Sequence, residues 1–358
     1  MKYYIWVIAL VIGCTSKNSQ SISQTKQYVE HRPEFARGFN IFESEEDYKL
    51  LLFDVTNPSD TIGTYFIPKN LSGNLACLST THVSFLHRLG ALEQLKGVTF
   101  ASYIRNEKVQ KLVAENKILD LTSNDEVSME KLISIQPDYF FVYPFGYDGY
   151  DKYTKKGINC IPISEYLEYS PLGRAEWIKV IALFCNKPDE ANQIFSAIKQ
   201  DYTSTSDFVK NSTTTRPCVF TGSNDQSTWF APPGNSFVAK LIEDAGASYV
   251  LSDTISNENI AIPFERLYKL VENCDYWGKV EYRTSDLNLT TLKIEEPLLY
   301  KTRAFQNHQV FNCNTALVDY FGDAILEPQI FLKDLTLIFH PELKIDHSPT
   351  YFKMLQPN

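Results

Sequence analysis

Two stretches of this chain repeat one arrangement of acidic, basic and apolar residues. Residues 129–139 read MEKLISIQPDY, and residues 264–276 read FERLYKLVENCDY, with two extra residues before the shared Asp-Tyr. A serine or proline suited to opening a helix precedes each acid, so Glu130 and Glu265 are both predicted to lie in a first helical turn. A carboxylate there stabilises the helix through its dipole. Two carboxylates at equivalent positions can also bind cationic side chains of a partner protein.

A second group of residues has the chemistry of a ligand-binding surface. Aromatic side chains are dense in segments that follow predicted strands, and their rings suit a large flat ligand because they combine apolar area with a polar edge. The predicted ligand-binding residues are Thr81, His82, Tyr103, Arg105, Tyr143, Phe145, Tyr147, Trp229, Phe230 and Tyr320. Arg105 could bind an anionic ligand, and His82 could ligate iron or cobalt or simply lie at a helix start. We expect some of these rings to pack against the rims of the protein instead.

The catalytic and metal-binding motifs that would indicate an enzyme are missing from the sequence. It contains no G-x-S-x-G, no P-loop, no G-x-G-x-x-G after a predicted strand, and no HxH or HExxH spacing among its 6 histidines. We therefore predict a protein that is not an enzyme and has no resident cofactor or metal. Glu165, Glu168 and Glu176 with Arg174 resemble a paired-acid glycosidase site, but an exposed, ion-paired face is the favoured interpretation.

The net charge limits the possible partners, and the cysteine content limits the possible disulfides and metal sites. The net charge of −9 and the lack of a Lys/Arg cluster make nucleic acid an unsuitable partner. Six cysteines follow Cys14 without a CxxC pair, and burial as small apolar side chains is the favoured interpretation, with a disulfide left open.

The first residues have the pattern of an export signal. Lys2 precedes a short apolar run that ends in Val-Ile-Gly-Cys at Cys14, too short to span a bilayer but suited to a secretory signal. The ending resembles the lipobox of bacterial lipoproteins, which implies a signal peptide over residues 1–13, lipidation of Cys14 and a membrane anchor; soluble secretion or a short anchor is the alternative. The polar residues 14–33 are predicted to form a flexible tether.

The folded body reads as two α/β lobes joined by one helix. Apolar strand candidates alternate with helical segments on both sides of residues 188–210, which begin with Pro-Asp-Glu and carry a helical apolar stripe. Such alternation predicts parallel sheets covered by helices. The predicted bounds are a β-rich extension over 34–70, an N-terminal lobe over 71–187, the connecting helix over 188–210 and a C-terminal lobe over 211–358. Residues 171–185 are predicted to form one amphipathic helix.

From residue 75 to residue 343 this layout resembles the helical-backbone substrate-binding proteins of ABC importers, the class that delivers vitamin B12, ferric siderophores and haem. The resemblance is carried by the strand LACLSTTH, by MEKLISIQPDYFFVY and by its second copy across the long helix. It implies two Rossmann-like lobes, a metal chelate or corrinoid bound between them, and docking of Glu130 and Glu265 to arginines of the permease. The tryptophan that precedes the first glutamate in the B12-binding member is replaced here by Asn124 or Asp125, so corrinoid specificity does not carry over.

The same resemblance sets the remaining expectations. Residues 165–186 are also similar to exported receptors of Bacteroidetes-type bacteria. We expect a monomer in the periplasm or cell envelope, with only modest hinge motion because one long helix resists bending. A surface ligand-binding or scaffold lipoprotein and an exported hydrolase are the alternative functions.

Overall fold

The computed structural model describes residues 26–71, 73–144, 149–225 and 227–356. Cys14, most of the predicted tether and the predicted ligand-binding residues Phe145 and Tyr147 lie outside the described residues. No described helix is both long enough and apolar enough to cross a membrane.

The β-rich extension is a four-stranded antiparallel sheet that starts before its predicted bound, since β1 (Val29–His31) lies within the predicted tether and pairs with β2. Its strands lie in the order β1-β2-β3-β4. Strand β3 alternates buried and half-buried positions, which gives the sheet one core-facing side through Tyr48, Leu50 and Leu52. The strands are β1 (Val29–His31), β2 (Phe39–Glu43), β3 (Asp47–Phe53) and β4 (Thr61–Pro68).

The first lobe is built on a parallel sheet with the order β11-β10-β5-β6-β7. The strand candidates of the sequence are confirmed, each within two residues at either end, and most of their side chains are buried as expected for a parallel sheet. The elements are β5 (Leu75–Cys77), α1 (Thr80–Arg88), β6 (Leu95–Val98), α2 (Glu107–Ala114), β7 (Leu119–Asp120), β8 (Thr122–Ser123), β9 (Glu126–Val127), α3 (Met129–Ser134), β10 (Tyr139–Val142), α4 (Asp151–Thr154) and β11 (Cys160–Pro162).

Three helices then lead out of the first lobe. The predicted single helix over 171–185 is wrong, because the chain forms α5 (Pro171–Glu176) and α6 (Ile178–Leu183) with a break at Trp177. The break directs the indole of Trp177 toward the extension, where it packs against Phe39 and its N–H donates to Glu168 at 3.0 Å. The long helix is confirmed as α7 (Pro188–Ser212), whose 25 residues span about 37 Å at 1.5 Å per residue.

The second lobe repeats the architecture with an added hairpin. Its main sheet has the order β15-β12-β17-β18-β19, parallel except for the last strand. Trp229 and Phe230, predicted to lie in a segment that follows a strand, instead belong to strand β14 (Thr228–Ala231), which pairs with β13 and with β16. The elements are β12 (Cys218–Thr221), β13 (Ser223–Asp225), β14 (Thr228–Ala231), α8 (Phe237–Asp244), β15 (Ser248–Tyr249), β16 (Ile260–Pro263), α9 (Phe264–Val271), β17 (Tyr276–Glu281), α10 (Leu289–Glu295), α11 (Arg303–Gln306), β18 (Val310–Asn314), α12 (Pro328–Phe339) and β19 (Lys353–Met354).

The cysteines divide into two groups. Cys77, Cys160, Cys185 and Cys313 are buried and free, as the favoured interpretation expects. Cys218 and Cys274 form a disulfide across β12 and the start of β17, with their Cα atoms 4.7 Å apart. This is the alternative that the sequence leaves open.

The prediction of an exposed, ion-paired face for the acids near α5 is wrong. Glu165, Glu168 and Glu176 are at most 2% exposed. Glu176 accepts the backbone N–H groups of residues 34, 35 and 36, and Glu168 accepts those of residues 37 and 38. We call residues 34–38 the strap. The carboxylates of Glu168 and Glu176 can be buried because the strap supplies the hydrogen bonds that a buried charge requires.

Candidate ligand-binding cleft

A cleft of about 670 Å³ lies between the two lobes. Its walls are formed by the segments that follow β5, β6, β10, β17 and β18, which is where parallel α/β sheets bind ligands. The lining residues include six aromatic side chains, Phe100, Tyr103, Tyr143, Tyr282, Tyr320 and Phe321.

The backbone is locally strained beside the cleft. Phe100 has a φ of 49°, in the left-handed region that a bulky residue rarely adopts. Its backbone N–H donates to the hydroxyl of Thr122 at 2.6 Å, and its ring stacks on that of Tyr103 with centroids 6.1 Å apart. Strain of this kind persists where surrounding structure holds it, commonly at ligand sites.

The described residues that line the cleft include one cationic side chain, Arg105, and one carboxylate, Asp319. The guanidinium of Arg105 donates to the carbonyl of Ala316 in the second lobe. Asp319 accepts the backbone N–H of Asp323 at 3.1 Å, and burial raises the pKa of its carboxyl although Arg105 opposes that shift. This surface suits a ligand of low net charge with polar groups on its edge.

Direct bonds join the lobes at the edges of the cleft. The hydroxyl of Thr80 donates to the carbonyl of Phe321, and Arg88 forms an ion pair with Glu327 at 3.0 Å. These contacts connect helix α1 of the first lobe to the segment that precedes α12. The lobes therefore lie close together in this structure.

The predicted ligand-binding residues fall into three groups. Tyr103, Arg105, Tyr143 and Tyr320 line the cleft. Burial raises the pKa of Tyr320 to about 12, so this phenol stays neutral at neutral pH.

Thr81 and His82 lie just beneath the cleft rather than on its surface. The hydroxyl of Thr81 donates to Glu165 at 2.5 Å. His82 has no exposed surface, and its ring lies 6.2 Å from the rings of Phe141 and Tyr143. An imidazole in this position would have to move to reach a ligand in the cleft.

The two predicted aromatic residues of the hairpin lie inside the second lobe. Trp229 is 1% exposed, packs against Phe220 and Trp277, and donates its indole N–H to the carbonyl of Thr221 at 3.3 Å. Phe230 lines a separate apolar cavity. The assignment of these residues to ligand binding stays a prediction.

Three cleft aromatics were not among the predicted residues. Phe100, Tyr282 and Phe321 all line the cleft, and the latter two side chains are 71% and 64% exposed. Tyr282 directly follows the confirmed strand β17. The rule that ligands lie at the carboxyl ends of strands would have found it.

The paired glutamates occupy the predicted helix starts. Glu130 lies in the first turn of α3, where Ser128 caps the helix by accepting the N–H of Lys131, and Glu265 lies in the first turn of α9. Helix α9 is two residues longer than α3 (8 against 6), which matches the insertion in its sequence. Both carboxylates are exposed, and neither joins an ion pair within the described ranges. They are free to bind an external cation.

The described part of the chain holds no group of three or more histidine, cysteine, aspartate or glutamate side chains placed to bind a metal ion.

Comparisons with known proteins give both a family and a fold. A family model described as periplasmic binding protein matches residues 75–317. An uncharacterized lipoprotein of Methanocaldococcus jannaschii is 27% identical over 387 aligned positions, which cover 94% of this chain and 91% of the relative.

Solved structures share the fold at low identity. A Ni-His complex of CeuE from Helicobacter pylori has a TM-score of 0.62 and 14% identity, covering 83% of this chain and 91% of that one. A periplasmic heme binding protein from Pseudomonas aeruginosa has a TM-score of 0.59 and 14% identity, covering 77% and 94%. The two-lobed fold predicted from the sequence is confirmed.

Proposed function

This chain belongs to the periplasmic binding protein family, and from that premise we propose that it is the substrate-binding lipoprotein of an ABC importer. Its cargo is an iron chelate (a siderophore or haem) or a corrinoid, held between the lobes. The observation that carries the proposal is the 670 Å³ cleft with aromatic side chains from both lobes. A volume in this range suits a cofactor-sized molecule.

The chemistry of the cleft supports a chelate over a bare metal ion. Phenolic and phenyl rings bind the flat faces of a ligand, and Arg105 with Asp319 can recognise its polar edge. Among solved structures with this fold, one is a Ni-His complex and another is of a heme binding protein. The protein binds its ligand without chemical change, so cargo recovered after binding should be unaltered.

The binding test is a titration of the chain without its leader, residues 15–358, with ferric siderophores, haem and cyanocobalamin. Tryptophan fluorescence reports binding, and calorimetry corrects for the absorbance of haem and corrinoid. We expect saturable one-to-one binding of one ligand. Failure of the whole panel to bind would overturn the cargo assignment.

A variant pair locates the site. Tyr103 is 72% exposed in the cleft, so Tyr103→Ala should weaken binding about 10-fold, since loss of one aromatic contact is worth about 1–1.5 kcal/mol. Phe66 is 59% exposed on the extension, and Phe66→Ala should leave the affinity unchanged. Equal effects of the two substitutions would place the ligand elsewhere.

Docking to the permease follows from the exposed glutamates. We propose that Glu130 and Glu265, one on each lobe, bind cationic side chains of the transmembrane subunits and fix the orientation of the receptor. Glu130→Ala combined with Glu265→Ala should keep ligand affinity and abolish uptake in cells. Glu107→Ala combined with Glu258→Ala removes two other exposed acids and should keep both. If Glu130→Ala combined with Glu265→Ala abolished ligand binding, the proposed docking role would be refuted.

The last part of the proposal is a lipid anchor at Cys14. Cys14 is the lipidated first residue of the mature protein, consistent with the name of the lipoprotein relative. Labelled fatty acid should appear in the wild-type protein and be absent from Cys14→Ser, which should fractionate with soluble envelope proteins. Equal labelling of the two forms would refute the anchor.

A further inference from the structure

A mostly apolar cavity of about 190 Å³, partly open to solvent, lies in the second lobe beside the cleft. It is bounded by strands β12, β17 and β18 on one side and by helices α8 and α12 on the other. Five phenylalanine rings contribute to its walls, Phe230, Phe237, Phe311, Phe331 and Phe352. Nothing in the proposed binding of a chelate between the lobes uses this space.

The size and lining of the cavity define its occupant. An apolar cavity of about 150 Å³ lined by Leu, Ile and Phe stays dry and binds benzene. The present cavity is slightly larger and has the same kind of lining, so it can hold one six-membered ring. Lys279 also borders it, but its ammonium lies 3.4 Å from the carboxylate of Glu296 and is already paired.

The cavity and the cleft share one wall residue. Tyr320 lines both spaces. Its ring stacks on Phe331 of the cavity, with centroids 5.5 Å apart, and meets Phe321 of the cleft edge-on at 5.1 Å. The side chain of Tyr320 therefore forms part of the boundary between the two spaces.

We propose that the cavity is an aryl subsite, in which a single aromatic ring of the cleft-bound ligand inserts past Tyr320. The inference rests on the proposed function and narrows its cargo to metal chelates that carry an aromatic ring. The chelating atoms stay in the cleft near Arg105 and Asp319, and the ring supplies apolar contact within the second lobe.

The test fills the cavity and compares two chelates and a free ring. Val238 borders the cavity from α8 and is only half-buried, so Val238→Phe should occupy the space without unfolding the lobe. Val113→Phe, on helix α2 of the first lobe and also half-buried, is the matched control. The probes are a ferric catecholate chelate, ferric desferrioxamine B, which has no aromatic ring, and benzene. Circular dichroism confirms that both variants are folded.

We expect the wild-type protein and Val113→Phe to bind benzene with one saturable site and to prefer the catecholate chelate. Val238→Phe should lose benzene binding and bind the catecholate chelate at least 10-fold more weakly, with unchanged affinity for ferric desferrioxamine B. An unchanged catecholate affinity, or an equal loss for both chelates, would overturn the aryl subsite. Absence of a benzene site in the wild-type protein would overturn it too. If benzene binds but no chelate does, the proposed cargo is wrong, and the role of the cavity as a subsite for that cargo is wrong with it. The cavity would then still be a binding site for an aromatic ring.

If Val238→Phe is unfolded, Val280→Phe, at a half-buried position on the β17 wall of the cavity, replaces it, with the same expected outcomes.

Discussion

The buried carboxylate of Glu176 should be a major source of stability because it holds the strap against α5. One of its oxygens accepts the N–H of Glu34 at 2.9 Å and the ammonium of Lys179 at 2.7 Å. The other accepts the N–H groups of Phe35 and Ala36 at 2.8 and 3.0 Å. The carboxylate itself is 0% exposed. Glu176→Ala removes all four acceptor contacts at once.

The magnitude follows from which donors lose contact with water. Glu34 is exposed, and Lys179 is long and flexible, so water can replace their acceptor. Ala36 is buried and Phe35 is half-buried, and an unsatisfied buried donor costs about 1–3 kcal/mol. We expect Glu176→Ala to lower the free energy of unfolding by about 2–6 kcal/mol, because each of these two donors loses its acceptor. Glu176→Gln keeps one acceptor oxygen and should cost less.

Urea unfolding followed by tryptophan fluorescence measures the loss. Glu45→Ala is the control, because Glu45 is exposed in the turn between β2 and β3, outside any helix, and it should leave the midpoint unchanged. Release of the strap should also speed trypsin cleavage after Arg37, which lies within it. A midpoint for Glu176→Ala indistinguishable from the control would refute the reasoning, as would unchanged cleavage.

Three further predictions concern the disulfide, the cleft and the hinge. Replacing Cys218 and Cys274 by alanine should lower the free energy of unfolding by about 4 kcal/mol, because the bond closes a loop with a sequence separation of 56. Urea unfolding measures this loss. If thiol titration of the denatured wild-type protein also detected Cys218 and Cys274, the bond would be disproved. The pKa of Asp319 is raised above 3.8 by burial, so it loses its charge as the pH falls through that raised value. Affinity for an anionic chelate should then rise as the pH is lowered, and Asp319→Asn should remove this pH dependence in calorimetry. Ligand addition should change the radius of gyration only slightly in small-angle scattering, and a large closure would contradict the stiffness assigned to α7.

The sequence was sufficient for features that depend on local patterning. The long helix, the parallel strands of both lobes and the helix starts at Glu130 and Glu265 follow from periodicity, caps and turn residues within a few positions of one another. The two extra residues in the second motif appear as two extra residues of helix α9. Local propensity and tertiary structure agree in these elements.

The sequence was insufficient where burial depends on distant backbone. The acids Glu168 and Glu176 have the spacing of a solvated helix face, and the backbone N–H groups that donate to them lie 130 to 142 residues away in the strap. Nothing in the neighbourhood of either glutamate indicates that those donors exist. The break at Trp177 has the same origin, since its partner Phe39 belongs to the extension.

The extension therefore has a part in the behaviour of the cleft. It bonds to Glu168, which precedes α5, and to Glu176, the last residue of α5, and the same connecting segment carries Glu165. Glu165 in turn accepts the hydroxyl of Thr81 at the start of α1, whose neighbour Thr80 donates to a carbonyl of the second lobe. Hydrogen bonds linked by short runs of chain thus connect the strap to the contact between the lobes. Because these carboxylates are buried, moving the strap or the start of α1 away from them would leave charge without a partner, which is strongly unfavourable. The strap and the long helix both oppose large movements of the lobes. Together they favour a receptor that recognises its cargo in a nearly preformed cleft.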